Sequence, residues 1–188
     1  MIRPAAALIA LSLASPALGY DECDDLWFAR NLVFDRAGYC FASPLGRAVF
    51  DNTGCTGTGV ALSPDAARLV AYVRAREAAL GCAVDTTRTA PDLDRLDLLF
   101  AQEVVTAPGE DASGCLGWTG APLDVLAGPR TDAPVLARVA PGDDIATGTV
   151  YFPDHPGWAH ISVFRADRFH AMGWVRDVDW SLCAGSAG

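Results

Sequence analysis

The six cysteines have the most reactive side chains in this sequence. They are Cys23, Cys40, Cys55, Cys82, Cys115 and Cys183. No two of them form a CxxC pair, and no histidine lies three to five residues from any of them, so the spacings of common zinc sites are missing. An even number of cysteines in an exported chain is typical of a disulfide framework. We therefore expect three crosslinks and no bound metal.

Three histidines, His155, His160 and His170, could act as general bases or as metal ligands. Their spacings match no ligand pair on a helix or tight turn, and no serine lies in a GxSxG turn. Asp143 and Asp144 are adjacent, which indicates a solvated corner and not an acid–base pair. We therefore predict that the protein is not an enzyme and uses no cofactor. A small periplasmic hydrolase is the less favoured alternative, and it would need His160 or His170 beside a nucleophile and an acid.

Aromatic residues make a stronger case for binding. Four tryptophans and Tyr151 follow residue 114, and a small β-domain needs only one or two large rings for its core. Any ring left exposed could stack on a ligand or dock a peptide. We expect Trp174 in the core and Tyr151 and Trp180 at the surface. The candidate ligand-binding residues are Tyr151, Trp158, His160, Trp180 and Arg130.

The first nineteen residues are typical of a secretory signal peptide. Arg3 is followed by an apolar run over residues 5–13 and by small residues at 17–19. A membrane-spanning helix is the alternative, but it needs about 20 apolar residues, and Pro16 and Asp21 come too early for that. We expect cleavage after Gly19, no membrane span after cleavage, and a periplasmic or secreted location whose oxidising environment permits disulfides.

The charged residues exclude two classes of partner. The chain has 14 basic residues, all arginine, and 23 acids, which gives a net charge of −9. Nucleic acids and anionic membrane surfaces would repel such a protein. Anionic wall polymers are not an obvious partner either, whereas a basic protein would be attracted.

Residues 20–89 read as a helical module. Asp24 or Asp25 could cap a first helix that ends near Gly38. A second helix should begin at Ser63, run to Leu80 and stop at Gly81. Each cysteine of this module lies at the end of an element, where a crosslink closes a loop without straining the core.

Residues 26–31 (LWFARN) and 34–41 (FDRAGYCF) resemble the YARHG domain, a small extracytoplasmic module of bacteria. Arg36 and Gly38 match its motif, and the resemblance covers roughly residues 23–82. The family's tyrosine, first alanine and histidine are replaced by Phe34, Asp35 and Ala37. The resemblance implies an envelope protein and no known reaction. For Arg30 and Arg36 we expect pairing with Asp35, Asp24 or a helix-end carbonyl more than contact with a ligand.

Residues 90–114 form an acidic connecting segment. Residues 106–114 (TAPGEDASG) are typical of a solvated linker. Residues 90–105 fit a short helix containing Leu93, Leu96 and Phe100, although an edge strand is an open alternative.

Residues 115–188 consist of short apolar runs separated by Gly and Pro, a pattern typical of a small β-barrel. The runs resemble, in order, the bacterial Src-homology-3-like domain. The matching segments are 124–129 (DVLAGP), 134–136 (PVL) with 141–143 (PGD), 157–158 (GW) and 173–175 (GWV). The chain departs from the family at 126–127 and in the long stretch 147–156, both near loops that carry ligand contacts in such folds. The ends of a small barrel often lie close together, so Cys115 and Cys183 should be bonded; the other four cysteines can pair in three ways, of which Cys23–Cys82 with Cys40–Cys55 is one.

We therefore predict an α+β protein, in which a small disulfide-bonded helical N-terminal module precedes a small all-β Src-homology-3-like barrel. The favoured function is non-catalytic binding of cell-wall peptides or of another envelope protein. The alternative is an adaptor or inhibitor of a basic extracytoplasmic protein. The sequence leaves the ligand and the oligomeric state open.

Overall fold

The computed structural model describes residues 22–93 and 95–188. Within these ranges four α-helices come first: α1 (Glu22–Arg36), α2 (Pro44–Phe50), α3 (Pro64–Leu80) and α4 (Leu96–Ala101). Seven strands follow: β1 (Ala107–Trp118), β2 (Leu123–Leu126), β3 (Val135–Val139), β4 (Asp144–Val150), β5 (Trp158–Arg165), β6 (Arg168–Arg176) and β7 (Cys183–Ala187). A single 3-10 turn at Trp180–Leu182 precedes β7. The predicted signal peptide and its cleavage site lie outside the described residues.

Helix α3 begins and ends where its sequence predicts. The Ser63 hydroxyl accepts a hydrogen bond from the amide of Ala66 at 3.2 Å, and Pro64 occupies the first turn. Gly81 ends the helix with a left-handed φ of 67°. A short helix, α4, also forms in the middle segment, where it includes Leu96 and Phe100 as expected but begins after Leu93.

The start of α1 differs from the expectation. Asp24 and Asp25 do not cap the helix but lie buried in its first turn. The Asp24 carboxylate accepts hydrogen bonds from the Arg88 guanidinium at 2.7 and 2.8 Å and from the amide of Asp92 at 2.8 Å. Asp25 pairs with Arg95 at 3.1 Å. These two carboxylates therefore hold the segment after α3 against α1, a role that sequence spacing does not reveal.

The expected disulfide framework is confirmed. The pairs are Cys23–Cys82, Cys40–Cys55 and Cys115–Cys183, and no described cysteine is free. The first bond joins the start of α1 to the end of α3, the second closes the segment around α2, and the third joins β1 to β7. Each bond thus fastens elements that are separated by 15 to 68 residues of chain.

The strands form one antiparallel sheet in the order β3-β2-β6-β5-β4-β1-β7. Its core contains Val125, Val139, Ile145, Ile161 and Val163, which are at most 1% exposed. The predicted Src-homology-3-like barrel is not confirmed, because the sheet does not close. The twelve-residue β1 pairs with both β4 and β7, so the sheet continues past β4 and leaves β3 and β7 as edges in the described part of the chain.

The predicted solvated linker is wrong for most of its length, since residues 107–114 belong to β1. The turn-forming residues of this stretch can belong to a strand because the register between β1 and β4 shifts between Pro108 and Ser113. A Cβ on Gly109 would lie 2.9 Å from the carbonyl oxygen of Gly148, so only glycine lets the two strands approach here. The sequence reads as a linker because a bulge uses the same residue types as a loop.

The helical module and the sheet share a core. Ala107 of β1 is 1% exposed and lies in one apolar cluster with Leu26, Val33 and Val73. The Tyr72 hydroxyl donates to the carbonyl oxygen of Pro108 at 3.0 Å, which adds a polar tie between α3 and β1. The two modules are therefore packed together, and β1 is part of the contact between them.

A chain of polar contacts runs from α1 to the β2–β3 turn. Arg36 donates to the carbonyl oxygens of Gln102 and Glu103, the latter at 2.9 Å. The amide of Glu103 donates to the carbonyl of Ala127 at 2.7 Å, and its carboxylate binds Arg130 at 2.5 and 2.8 Å. A Cβ on Gly128 would lie 2.2 Å from that carboxylate, so any other residue there would displace the Glu103 side chain from this position.

Among the described residues, no helix is both long enough and apolar enough to cross a lipid bilayer.

Candidate functional site

A large groove lies in the helical module. It has a volume of about 560 Å³ and is bounded by α1, α3 and the segments 39–43 and 84–86. Its lining combines aromatic rings with charged groups. The aromatic members are Trp27, Phe34, Tyr39 and Phe41, and the charged members are Arg30, Arg74 and Glu77.

One wall of the groove is a row of rings in edge-to-face contact. The ring centroids of Phe34 and Tyr39 are 5.8 Å apart, and those of Tyr39 and Phe41 are 5.0 Å apart. Phe34 and Tyr39 are only partly buried, whereas Phe41 stacks on Phe50 at 4.7 Å and is 7% exposed. The wall thus presents two accessible rings on a rigid support.

The 38–41 segment that carries these rings is held from behind by its neighbour. The Asn52 side chain accepts from the amide of Phe41 at 2.7 Å and donates to its carbonyl at 2.9 Å, as a neighbouring strand would. The amide of Cys40 donates to Gly57 at 2.9 Å, and the Cys40–Cys55 bond adds a covalent link. The rings are therefore placed before any ligand arrives.

A glycine makes room for this wall. A Cβ on Gly46 in α2 would lie 2.9 Å from Cβ and Cδ1 of Phe41, so only glycine allows α2 to pack this closely. The Ser43 hydroxyl caps α2 by accepting from the Gly46 amide at 3.2 Å. The amide of Leu45 donates to the carbonyl of Thr86 at 3.1 Å, which brings the 84–86 segment to the groove.

An ion pair joins the two helices at the groove. The Arg30 guanidinium on α1 donates to both carboxylate oxygens of Glu77 on α3, at 2.9 to 3.2 Å. Both side chains are about one-fifth exposed, at 22% and 16%. Arg74 lies one turn before Glu77 on α3 and is exposed, and it forms no ion pair within residues 22–93 and 95–188. The three charges leave the groove with a local excess of one positive charge.

Three of the predicted ligand-binding residues lie together around Trp174. The centroids of Tyr151 and Trp174 are 4.5 Å apart, and those of His160 and Trp174 are 5.3 Å apart. Trp158 packs against the same small cluster, and His155 reaches Trp174 at 5.3 Å. Trp174 is fully buried, as expected, whereas Tyr151 is half-buried. The rings form a secondary core on the sheet.

Burial determines the chemistry of His160. The residue is 3% exposed, its Nδ1 lies 3.1 Å from Oγ1 of Thr149, and burial lowers its pKa to about 3. The imidazole is therefore neutral near pH 7. His170 is exposed on β6, away from the buried ring cluster around Trp174. No group of three or more His, Cys, Asp or Glu within the described ranges could hold a metal ion.

The other two predicted residues lie elsewhere. Arg130 pairs with Glu103 and with Asp132 at 2.7 Å, and these hydrogen bonds raise the pKa of its guanidinium. Trp180 is 43% exposed beside β7. The five predicted residues therefore do not form one site.

A smaller cavity of about 240 Å³ lies between α1 and the sheet. Its lining includes Phe28, Thr149, His160, Ser162 and Met172. This cavity is a gap between the packed modules, and its mixed walls indicate no particular ligand.

The groove in the helical module was missed by sequence reasoning, which looked for binding in the second half of the chain. The one sequence signal for this groove was the segment 34–41. In this segment Tyr39 directly follows the motif residues Arg36 and Gly38 and therefore lies just after the end of α1. Arg74 gave no signal at all, because an exposed arginine on a helix has no distinguishing neighbours in sequence.

Two family models match the chain. One, the YARHG domain, matches residues 5–78 and confirms the resemblance of the N-terminal module. The other, described as "Domain of unknown function (DUF4453)", matches residues 81–188, which include α4 and the whole sheet. No curated protein and no solved structure matches the chain. Together, the three disulfides and the YARHG match indicate an extracytoplasmic protein.

Proposed function

Because the chain belongs to the DUF4453 family and carries a YARHG domain before it, we propose that it is an extracytoplasmic, non-catalytic peptide-binding protein. Its binding site is the groove of the helical module. The observation that carries this proposal is the row of accessible rings in a groove of about 560 Å³, together with the guanidinium of Arg74, which forms no ion pair with any described residue.

The lining of the groove defines the class of ligand. Phe34, at the position of the family's tyrosine, and Tyr39 offer apolar faces to the side chains of a peptide. Arg74 offers planar N–H donors that suit a carboxylate. The ligand is therefore a short peptide with an apolar side chain and a carboxylate. The peptides of the cell wall and the exposed termini of envelope proteins both belong to this class.

The absence of catalysis is part of the proposal. The groove holds an arginine–glutamate pair whose hydrogen bonds are already made; its Ser43 hydroxyl caps α2, its Cys82 is in a disulfide, and no histidine lines it. His160 is neutral and buried, so it cannot take up protons near pH 7. A periplasmic hydrolase would need a nucleophile next to an accessible base.

The sheet plays a second part in this proposal. We infer that β2, β3, β5 and β6, which carry the segments similar to the Src-homology-3-like domain, form a support for the groove. The shared core around Ala107 of β1 and the contacts that run from Arg36 through Glu103 to Ala127 fix the helical module on the sheet to which these strands belong. The chain reaches the periplasm or the exterior through the signal peptide at residues 1–19.

A matched pair of ligands tests the proposal. The probes are an acetylated five-residue alanine–leucine peptide with a free C-terminal carboxylate and the same peptide with a C-terminal amide, titrated by calorimetry. Arg74→Ala should weaken the carboxylate peptide about fivefold and leave the amide unchanged, since an exposed charge pair contributes up to about 1 kcal/mol. Ala42→Trp, which fills the groove from an exposed position, should abolish binding of both peptides.

Arg168→Ala is the control. Arg168 is exposed on β6 and forms no ion pair in the described part of the chain. Its replacement by alanine removes the same charge as Arg74→Ala, but far from the groove. Equal losses in Arg74→Ala and Arg168→Ala would contradict the proposal, as would binding that survives Ala42→Trp.

A further inference from the structure

Part of the outward face of the sheet is left uncovered. Cys115, Ile145 and Val163 belong to the core of the sheet and are at most 2% exposed. Successive strand residues point to opposite faces, so Leu116 and Phe164 lie on the outward face. These two side chains help to line a depression of about 450 Å³, and no residue of the four described helices borders it. We call it the sheet-face depression.

The lining of the sheet-face depression is mostly apolar. Leu116 is 44% exposed and Phe164 is partly buried. Much of the remaining lining consists of residues with a methyl group or no side chain at all: Ala112, Gly114, Ala146 and Ala187. A narrow apolar group, such as a chain of methylenes, can therefore lie directly against the strands.

Gly114 keeps the depression open although the fold does not require glycine there. The residue lies inside β1, in register with Ala146 of β4 and Ala187 of β7. Its φ lies outside the left-handed region, and a Cβ would lie 3.6 Å from the carbonyl oxygen of Ile145 and 3.8 Å from Cβ of Ala187, which are ordinary contacts. Glycine weakens the interior of a strand and often marks a place that a ligand approaches closely. The missing side chain at this position therefore points to an occupant.

The charged groups of the depression are both acidic. Asp144 of β4 and Asp167 of the turn after β5 line it, whereas no arginine does. Neither carboxylate forms an ion pair within residues 22–93 and 95–188. Oδ1 of Asp144 accepts from the amide of Gly117 at 2.7 Å, which leaves its second oxygen available. Two such carboxylates beside an apolar surface favour a cation that carries an apolar stem.

The chemistry of this lining matches the side chain of arginine or lysine. Both have a stem of methylenes that packs on apolar surface and a cationic end group that binds carboxylates. A second copy of this chain, with a net charge of −9, would be repelled as a whole. A basic partner protein would be attracted, and complementary charge also speeds its approach.

We propose that the sheet-face depression is the docking site for an arginine or lysine side chain on the surface of a basic partner protein. The stem of that side chain lies over Gly114 and against Leu116, and its cationic group meets Asp144 and Asp167. The apolar surface accepts the stem, and the two carboxylates select the charge. The depression shares no lining residue with the groove, so either site can fail without the other.

The probe is an acetylated and amidated five-residue peptide with arginine at its centre and glycine at the other four positions. It is titrated by NMR into the isotopically labelled full-length protein. The amide signals of Gly114, Leu116 and Asp144 should shift in a saturable way. The ligand control has citrulline in place of arginine, which keeps the shape and removes the charge, and it should bind about tenfold more weakly. Equal binding of the two peptides would overturn the proposal.

Two variants separate the contribution of charge from that of shape. Asp144→Asn/Asp167→Asn should weaken the arginine peptide about tenfold, because it removes two exposed charge contacts. Asparagine keeps the acceptor for Gly117 and tolerates the left-handed φ of 60° at residue 167. Gly114→Leu should also weaken the peptide about tenfold, because it fills the depression. Its melting temperature should be unchanged or higher, since the strand loses a glycine.

Each variant has a matched control. Asp97→Asn/Asp154→Asn removes the same charge at exposed positions on α4 and in the β4–β5 loop, and Gly59→Leu adds the same side chain at an open position before α3. Both controls should change the affinity less than twofold. Equal weakening by the two double variants would show general charge attraction and overturn the proposal, as would full binding to Gly114→Leu. Shifts of Gly114 and Leu116 that depend on protein concentration without peptide would mean that a second copy is the occupant, and would also overturn it.

Discussion

Three arginines, one of which is a predicted ligand-binding residue, are bonded within the protein. Arg30 reaches Glu77 across 47 residues of chain, Arg36 reaches carbonyls 66 and 67 residues away, and Arg130 reaches Glu103 across 27 residues. The sequence shows only the residues next to each arginine along the chain, and the partners in the fold are far from it along the chain. The expected partners of Arg30, Asp24 and Asp35, were therefore wrong, whereas Arg36 does bind carbonyls at the end of a helix, those that follow α4.

Arg36→Ala should destabilise the protein although the side chain is accessible. The change removes the hydrogen bonds from a charged donor to the carbonyls of Gln102 and Glu103, and we expect the free energy of unfolding to fall by about 1.5 kcal/mol. Urea unfolding measures this. Arg47→Ala is the control, because Arg47 is exposed on α2 with no ion pair among the described residues. A loss no larger than that of the control would contradict this role.

His160 should make stability depend on pH in the mildly acidic range. Its pKa is about 3 in the folded protein and about 6.5 in an unfolded chain, so below pH 6.5 the unfolded state binds the extra proton. The contribution of neutral His160 to the free energy of unfolding is complete above about pH 6.5 and is lost as the pH falls toward 3. Urea unfolding should show a loss of about 2 kcal/mol between pH 7 and pH 5. His160→Gln should have a much flatter dependence, whereas the same slope in both proteins would exclude His160 as the cause.

Elements were predictable where local chemistry defines them. The capping Ser63 and the left-handed Gly81 lie directly before and after α3, and both residue types can be read from the sequence. Strand β1 was not predictable, because Gly109 and its neighbours suit a loop as well as a bulge. What decides between them is the pairing with β4 and β7, which comes from distant parts of the chain.

The disulfide that joins β1 to β7 should contribute more stability than the one behind the groove. Cys115–Cys183 closes 68 residues and Cys40–Cys55 closes 15, so loop entropy gives about 4 kcal/mol for the first and about 3 kcal/mol for the second. Denaturant unfolding of the variants Cys115→Ala/Cys183→Ala and Cys40→Ala/Cys55→Ala measures both. A larger loss of stability in the Cys40→Ala/Cys55→Ala variant would mean that this bond does more than restrict the conformations of the unfolded chain.

At the scale of the whole molecule, the two family matches meet near residue 80, yet the packing continues across that boundary. Ala107 and Val150 from the sheet contact the cluster that contains Leu26 and Val73 from the helices. The sequence predicted two modules and an intervening linker, because shifts in composition indicate segments and do not reveal contacts between them.

The shared core predicts cooperative unfolding. Scanning calorimetry of the oxidised protein should show a single transition, with a calorimetric enthalpy close to the van't Hoff enthalpy, because melting one module would expose the apolar surface of the other. Two separable transitions would mean that the contact between β1 and the helices contributes little. Tyr72→Phe, which removes the bond to Pro108, should lower the midpoint without splitting the transition.

The binding function itself was predicted from the exposed aromatics of the second half, and the structure offers a better groove in the first half. A direct comparison of the two is an NMR titration of the isotopically labelled protein with the alanine–leucine peptide that carries a free carboxylate. The amide signals of Ala42, Arg74 and Thr86 should shift in a saturable way, while those around Tyr151 and Arg130 stay in place. Shifts confined to Tyr151, Trp158 and Arg130, with the groove signals unchanged, would contradict the assignment of the binding site.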